Sequence, residues 1–483
     1  MPGQLTGKAA IVGIGATDFS KNSGRSELRL AAEAVLDALD DAGLAPGDVD
    51  GMVTFTMDSN TEVAVARATG IGELKFFSKI HHGGGAACAT IQQAAIAVAT
   101  GVAECVVAYR AFNERSGMRF GQVQMRLVEN ADSTGVDNSF SYPHGLSTPA
   151  AQVAMIAKRY MHLSGATSKD FGAVSVADRK HAAKNPKAYF YEKPITIEDH
   201  QNSRWIAEPL RLLDCCQETD GGVALVVTTP ERAKDLRHRP AIIEAASQGS
   251  SPDQYSMVSY YRPELGLPEM GLVGRQLWQQ SGLKPTDIQT AILYDHFTPF
   301  TLIQLEELGF CGQGDAKDYI ADGAIEIGGR LPINTHGGQL GEAYIHGMNG
   351  IAEGVRQLRG TSVNPVPDVT STFSTSSTWL QEVPRTWRTP SVMPFMPWMY
   401  ASPSRPPLVL MGSAPPRDRF SIVAKSLASP RPQNPSSSSC EKTNGVKWSY
   451  RKAVWMSCGP RAESRQSFRA TTPISGRPVM SSR

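Results

Sequence analysis

The chain has 483 residues, 41% of them hydrophobic, and a formal net charge of +2. This is enough for two or three domains with substantial cores, and it excludes a low-complexity or fibrous chain. The longest apolar runs, residues 94–99 and 223–227, fall far short of the ~20 residues that span a bilayer, so no membrane partner is expected.

The chain opens on Ala9-Ala10-Ile11-Val12-Gly13, a short strand running into a glycine turn and not a secretory leader. Leu28, Leu30, Ala31, Ala34, Val35, Ala38 and Leu39 then recur at helical spacing. That helix stops at Gly43, turns through Pro46 and enters a strand at Gly51–Phe55. A glycine run, Gly83-Gly84-Gly85, precedes a helix over 86–99 that is apolar nearly all round and so belongs between layers. Cys105–Tyr109 reads as a central strand. Residues 112–205 are more polar and read as an insertion, with turns at Tyr142-Pro143-His144-Gly145 and Asn185-Pro186.

A strand over 222–228, after Asp214-Cys215-Cys216, closes the first half, and residues 241–246 open a second. There the earlier punctuation returns. Asp41-Ala-Gly43-Leu44-Ala-Pro46-Gly-Asp48 is matched by Gln280-Ser-Gly282-Leu283-Lys-Pro285-Thr-Asp287, again between an amphipathic helix and a strand, here 290–294. The chain therefore reads as a duplicated α/β design. Next come the corner Tyr294-Asp295-His296-Phe297, a glycine-rich stretch from Asn334 to Gly347, and a helix ending near Gly360.

From Pro367 onward there are 16 Lys plus Arg and 5 Asp plus Glu, against 32 and 41 before it. That stretch also holds 16 of the 32 prolines and five of the seven tryptophans, and no strand pattern is visible between 369 and 388. The domains expected are a first half at 1–235 with its insertion at about 112–205, an incomplete second half at 236–367, and a basic Pro/Ser/Arg-rich tail at 368–483. The tail is expected to be disordered, and its abrupt composition is what a shifted reading frame would produce. Seven scattered cysteines without a CxxC pair argue against disulfides or a zinc site and fit the cytoplasm.

The half-sheets, the Thr219-Asp220-Gly221-Gly222 centre, the Tyr294-to-Thr298 corner and the Gly337-Gly338-Gln-Leu-Gly341 loop together resemble the thiolase superfamily over about residues 6–366. The likeness is greatest to its lipid-transfer-protein branch and to the thiolase-fold steroid side-chain aldolases. It implies a duplicated, five-layered αβαβα fold whose second half is truncated here, and a homodimer. It also implies that the chain acts with a small OB-fold, zinc-ribbon acyl-CoA-binding partner, on a CoA thioester as substrate, with no further cofactor, no metal and no nucleic acid.

Aligning the 86–99 helix with the family puts Gly84 where thiolases carry a nucleophilic cysteine, while Cys88 lies about a turn further in and reads as a core thiol. Tyr294 and Tyr344 match the positions that hold the thioester oxygen in thiolases. Two phenols suit acid–base chemistry better than acyl transfer, which points to retro-aldol cleavage of a 17-hydroxy steroid side-chain CoA thioester to a steroid ketone and propionyl-CoA. His296 is expected to assist as an imidazolium that lowers a phenol pKa. His82, Gly83, Gly84, Gly338 and His346 are the candidate substrate- or CoA-binding residues. A thiolase-type acyltransferase and a non-catalytic lipid carrier are the alternative functions.

Overall fold

The computed structural model describes residues 4–56, 58–80, 87–117, 119, 121, 142–249 and 266–374. His81, His82 and Gly83–Gly85 lie outside the described residues, as does the expected tail from 375 on.

The first half runs β1 (Ala10–Ala16), α1 (Glu27–Ala42), β2 (Gly51–Phe55), α2 (Glu62–Thr69), β3 (Phe76–Ile80), α3 (Ala87–Ala99) and β4 (Cys105–Asn113). Helices α4 (Pro149–Ser164) and α5 (Ser168–Ala182) and a hairpin of β5 (Trp205–Ala207) and β6 (Leu210–Arg211) follow, then β7 (Asp220–Thr228) and β8 (Ala241–Ile242). The main sheet has the order β3-β2-β4-β7-β1-β8. β7 lies antiparallel between β1 and β4, and both its faces are covered, which suits its Val/Ala-rich sequence. α1 covers one face through Leu30, Ala31, Ala34 and Ala38. α3 covers the other. β8, expected to open the second half, instead pairs with β1 at the edge of this first sheet.

The duplication is physical. α6 (Pro268–Ser281) ends at Gly282 with φ 70°, as α1 ends at Gly43 with φ 74°. A 3₁₀ turn follows each, Pro46–Asp48 or Pro285–Asp287. In each turn the Asp carboxylate accepts the N–H of the residue before the proline, at 2.8 Å from Ala45 and 2.9 Å from Lys284. The shared Pro-x-Asp is thus a local hydrogen-bonding device that delivers the chain into β2 or β9 (Thr290–Ile292).

After α7 (Thr298–Glu307), α8 (Gly338–Gly341) and α9 (Met348–Arg359), the chain forms a strand where the sequence shows none. β10 (Thr372–Ser374) pairs parallel with β9, so the ordered second half extends beyond residue 367. Phe373 is fully buried, its ring 5.1 Å from Trp278 and 5.5 Å from Phe310. The hydroxyls of Thr372 and Ser374 face α9, where a Cβ on Gly354 would come within 3.3 Å of both. A strand with one apolar residue between two buried hydroxyls escapes any hydrophobic pattern.

α9 packs against β9 and β10 on one side and against α3 and β7 on the other. With α1 outside the first sheet and α6 and α7 beyond the second, the five layers are αβαβα. Among the described residues no helix is long and apolar enough to cross a membrane.

Candidate active site

Three segments meet at one end of the central layer: 214–220 before β7, the corner after β9, and the loop between α8 and α9. Asp214 fixes the first to the second. Its buried carboxylate accepts from the Thr298 hydroxyl at 2.6 Å and the Arg211 N–H at 2.7 Å, and lies 2.8 Å from His200 Nε2. The Cys216 N–H donates to the His296 carbonyl at 2.9 Å. The third segment is tied in by Tyr344, whose N–H donates to Thr219 Oγ1 at 2.8 Å.

Tyr294, two residues past β9, and Tyr344 are brought together, the Tyr294 hydroxyl donating to the Tyr344 hydroxyl at 3.1 Å. Burial, the neighbouring Cys216 and nearby charge raise the Tyr294 phenol well above its ordinary 10, the hydrogen bond with Tyr344 offsetting part of this. Burial, then Tyr294 and Cys216, raise Tyr344 likewise. Both are therefore neutral O–H donors near neutral pH.

His296 lies beside the pair, 4.8 Å from the Tyr294 ring and stacked on Phe300 at 4.6 Å. Burial among these rings pushes its pKa down to about 3. The expected imidazolium is thus replaced by a neutral imidazole, and the expected lowering of a phenol pKa by a phenol held protonated.

His346 is turned inward. Its Nδ1 accepts from Arg110 Nε at 3.1 Å, which leaves the proton on Nε2. The ring stacks on Phe112 at 4.9 Å and meets Tyr344 edge-on at 5.0 Å, so it supports a tyrosine from behind. Burial, Arg110 and His296 keep it well below 6.5. Arg110, 1% exposed and 3.0 Å from Asp58 Oδ2, is a site residue the sequence reading missed. The available signal was an arginine in the middle of an otherwise apolar strand.

Gly338 stands against the Asp295 carboxylate. It is buried with φ +65°, and a Cβ there would lie 2.1 Å from Asp295 Oδ2. That carboxylate accepts the N–H groups of Gln339 at 2.8 Å and Leu340 at 3.0 Å, so the glycine exists to let Asp295 clamp the loop. Gly347, φ +86°, plays the same part against the Tyr294 ring, 3.2 Å from where its Cβ would stand. His82, Gly83 and Gly84 lie outside the described residues.

Cys88 lies in α3, whose described part begins at Ala87. It is 1% exposed in the core, with Sγ 3.8 Å from the Ser374 carbonyl. Burial raises the Cys216 thiol well above 9.0 and pushes Cys105 up to about 12, so neither has thiolate character. Cys216 lies within electrostatic reach of both tyrosines.

A family model described as "Thiolase C-terminal domain-like" matches residues 253–380. Over 375 residues the chain is 85% identical to the 17-hydroxy-3-oxo-4-pregnene-20-carboxyl-CoA lyase of Mycobacterium tuberculosis, covering 77% of this chain and 97% of that protein. The chain belongs to the thiolase superfamily. Within it the chain falls among the steroid side-chain-cleaving aldolases. It is 68% identical over 377 residues to the steroid side-chain-cleaving aldolase of Thermomonospora curvata, covering 77% of this chain and 96% of that one. A solved structure, the "Ltp2-ChsH2(DUF35) aldolase", is 65% identical with a TM-score of 0.75, spanning 79% of this chain and 98% of its own. At the candidate site of this thiolase-superfamily chain two phenols stand in hydrogen-bond contact.

Proposed function

We propose that the protein is a carbon–carbon lyase that cleaves a 17-hydroxy steroid side-chain CoA thioester into a 17-ketosteroid and propionyl-CoA. The observation that carries this is the hydrogen-bonded Tyr294–Tyr344 pair at the convergence of the two halves. Two neutral phenols in contact form a relay: a proton arriving at one oxygen is matched by one leaving the other. The tertiary hydroxyl gives its proton into the relay, and the bond to the α carbon breaks. The resulting enolate oxygen is held by a phenolic O–H until the α carbon is protonated. His346 and Phe112 back Tyr344, and His296 and Gly347 back Tyr294. An acyltransferase would need a thiolate, and the raised thiols and Gly84 disfavour it.

The name of the solved neighbour pairs its thiolase-fold chain with a second protein. By that likeness we propose that the present chain also works with a second protein, and the family resemblance of its sequence adds that this partner is a small OB-fold, zinc-ribbon acyl-CoA-binding protein, that the chain is a cytoplasmic homodimer and that it needs no cofactor beyond the CoA of its substrate. The test is incubation of a 17-hydroxy steroid side-chain CoA thioester with the chain, alone and with that partner, following both products. Stoichiometric ketone and propionyl-CoA support the proposal; turnover only with added free CoA, giving a shortened acyl-CoA, contradicts it.

A further inference from the structure

We propose that Glu114 is the proton-handling partner of the tyrosine pair, its carboxylate receiving the substrate hydroxyl proton through the phenols and its acid form sending a proton back toward the α carbon. This rests on the retro-aldol reading above.

The placement follows from β4. Its even-numbered residues face the central layer: Val106, Ala108 and Phe112 share a core cluster with Ala343 and Ile345, and Arg110 reaches His346. Phe112 meets Tyr344 edge-on at 6.4 Å. Glu114 is the next residue of that row, one past the end of the strand. The backbone just after it is pinned by Asp220, which accepts the N–H groups of Arg115 at 2.9 Å and Ser116 at 3.0 Å. Asp220 is itself paired across the sheet with Asn113, and its neighbour Thr219 holds the Tyr344 backbone. Glu114 is 2% exposed, and its Oε2 has no hydrogen-bond partner among the described residues. A buried carboxyl oxygen left open within electrostatic reach of two phenols is costly unless it is used.

The groups around it come from every side. Lys21 faces it from beyond β1, Arg110 from β4, and Glu218 and Asp220 from the approach to β7; Cys216, Tyr294 and Tyr344 also sense its charge. Burial and Glu218 outweigh Arg110 and Lys21, and its pKa is raised well above the carboxylate range. Lys21 sits with Nζ 2.6 Å from the Glu218 carbonyl and 3.2 Å from Gln217 Oε1, its own pKa lowered to about 8 chiefly by burial.

The chemistry requires such a group. The hydroxyl proton must be accepted before the α carbon is protonated, while the raised phenols oppose phenolate and the lowered imidazoles oppose imidazolium. Burial makes the Glu114 carboxylate a stronger base than an ordinary carboxylate, so it can take the proton that the phenols pass on. In the step proposed, the hydroxyl O–H proton passes through the pair to the carboxylate. The electrons of the carbon–carbon bond move to the α carbon, giving ketone and enolate. The carboxylic acid then returns one proton to that carbon, and Glu114 ends as it began.

The test compares wild type, Glu114→Gln and Glu114→Asp in the full chain with its partner, on the 17-hydroxy thioester. Glu114→Gln should lower kcat about 10²–10³-fold while leaving the affinity for the 17-deoxy thioester unchanged. Wild-type kcat should rise with pH as the Glu114 carboxyl loses its proton, and that rise should disappear in Glu114→Gln and shift in Glu114→Asp. Activity of Glu114→Gln within about threefold of wild type with the same pH profile would overturn the proposal. Should Glu114→Gln fail to fold, Glu114→Asp decides, a shifted profile supporting the proposal and an unchanged one overturning it. Absence of ketone from wild type would overturn the retro-aldol reading and this proposal with it, whereas an active Glu114→Gln with an unchanged profile overturns this proposal alone.

Discussion

The Tyr294 hydroxyl reaches the Tyr344 hydroxyl at 3.1 Å across 50 residues of sequence. The contact depends on Asp295, next to the first tyrosine, accepting the Gln339 and Leu340 N–H groups of the turn that leads to the second. It depends equally on Gly347, which leaves room for the Tyr294 ring.

Tyr294→Phe and Tyr344→Phe delete one oxygen each and keep the packed ring. Each should lower kcat by about 10²–10⁴-fold with little change in melting temperature. Steady-state kinetics beside thermal unfolding checks this, and near-wild-type turnover in either variant would make that phenol a bystander.

Cys88→Ala should leave kcat within about threefold of wild type, since its Sγ points to the Ser374 carbonyl within the core. The loss of one buried sulfur should cost about 1 kcal/mol of stability. An acyl thioester trapped on Cys88 and seen by mass spectrometry would contradict this.

Phe373→Ala should destabilise by about 3–5 kcal/mol, as for other large-to-small core changes, because it empties the space between Trp278 and Phe310 under β10. Urea unfolding measures it. A change below about 1 kcal/mol would mean that β10 adds little to the fold.

His336 is buried, its pKa pushed down to about 4 chiefly by burial, and its nearest carboxylate oxygen, on Glu342, is 3.9 Å away. A folded pKa below the unfolded value of 6.5 means that the unfolded chain binds the proton more readily. The stability this group contributes is present above pH 6.5 and lost as the pH falls toward 4. Between pH 7 and 5 the wild type should therefore lose about 2 kcal/mol more stability than His336→Gln. Equal losses in the two proteins would show that the imidazole accepts a proton in the fold.

The duplication was legible because its markers are local: a left-handed glycine, a proline and a carboxylate that closes its own turn act the same way wherever they fall. The tyrosines were legible through their family positions. What was illegible depends on packing. The charge states of His296 and the phenols follow from burial among rings contributed by distant segments. Arg110 and His346 meet across 236 residues. Gly338 looks from sequence like room for a ligand, and only the fold puts Asp295 there. β10 was hidden because its buried hydroxyls match a glycine on α9, which no alternation rule registers.

Turnover of the 17-hydroxy thioester in D₂O, with mass analysis of the released thioester, tests retro-aldol cleavage most directly. Breaking the bond to the α carbon leaves an enolate that takes one hydrogen exchangeable with solvent, so propionyl-CoA should carry one deuterium at its α carbon and appear with equimolar steroid ketone. Unlabelled product, or an acyl group passed to free CoA, would contradict the account.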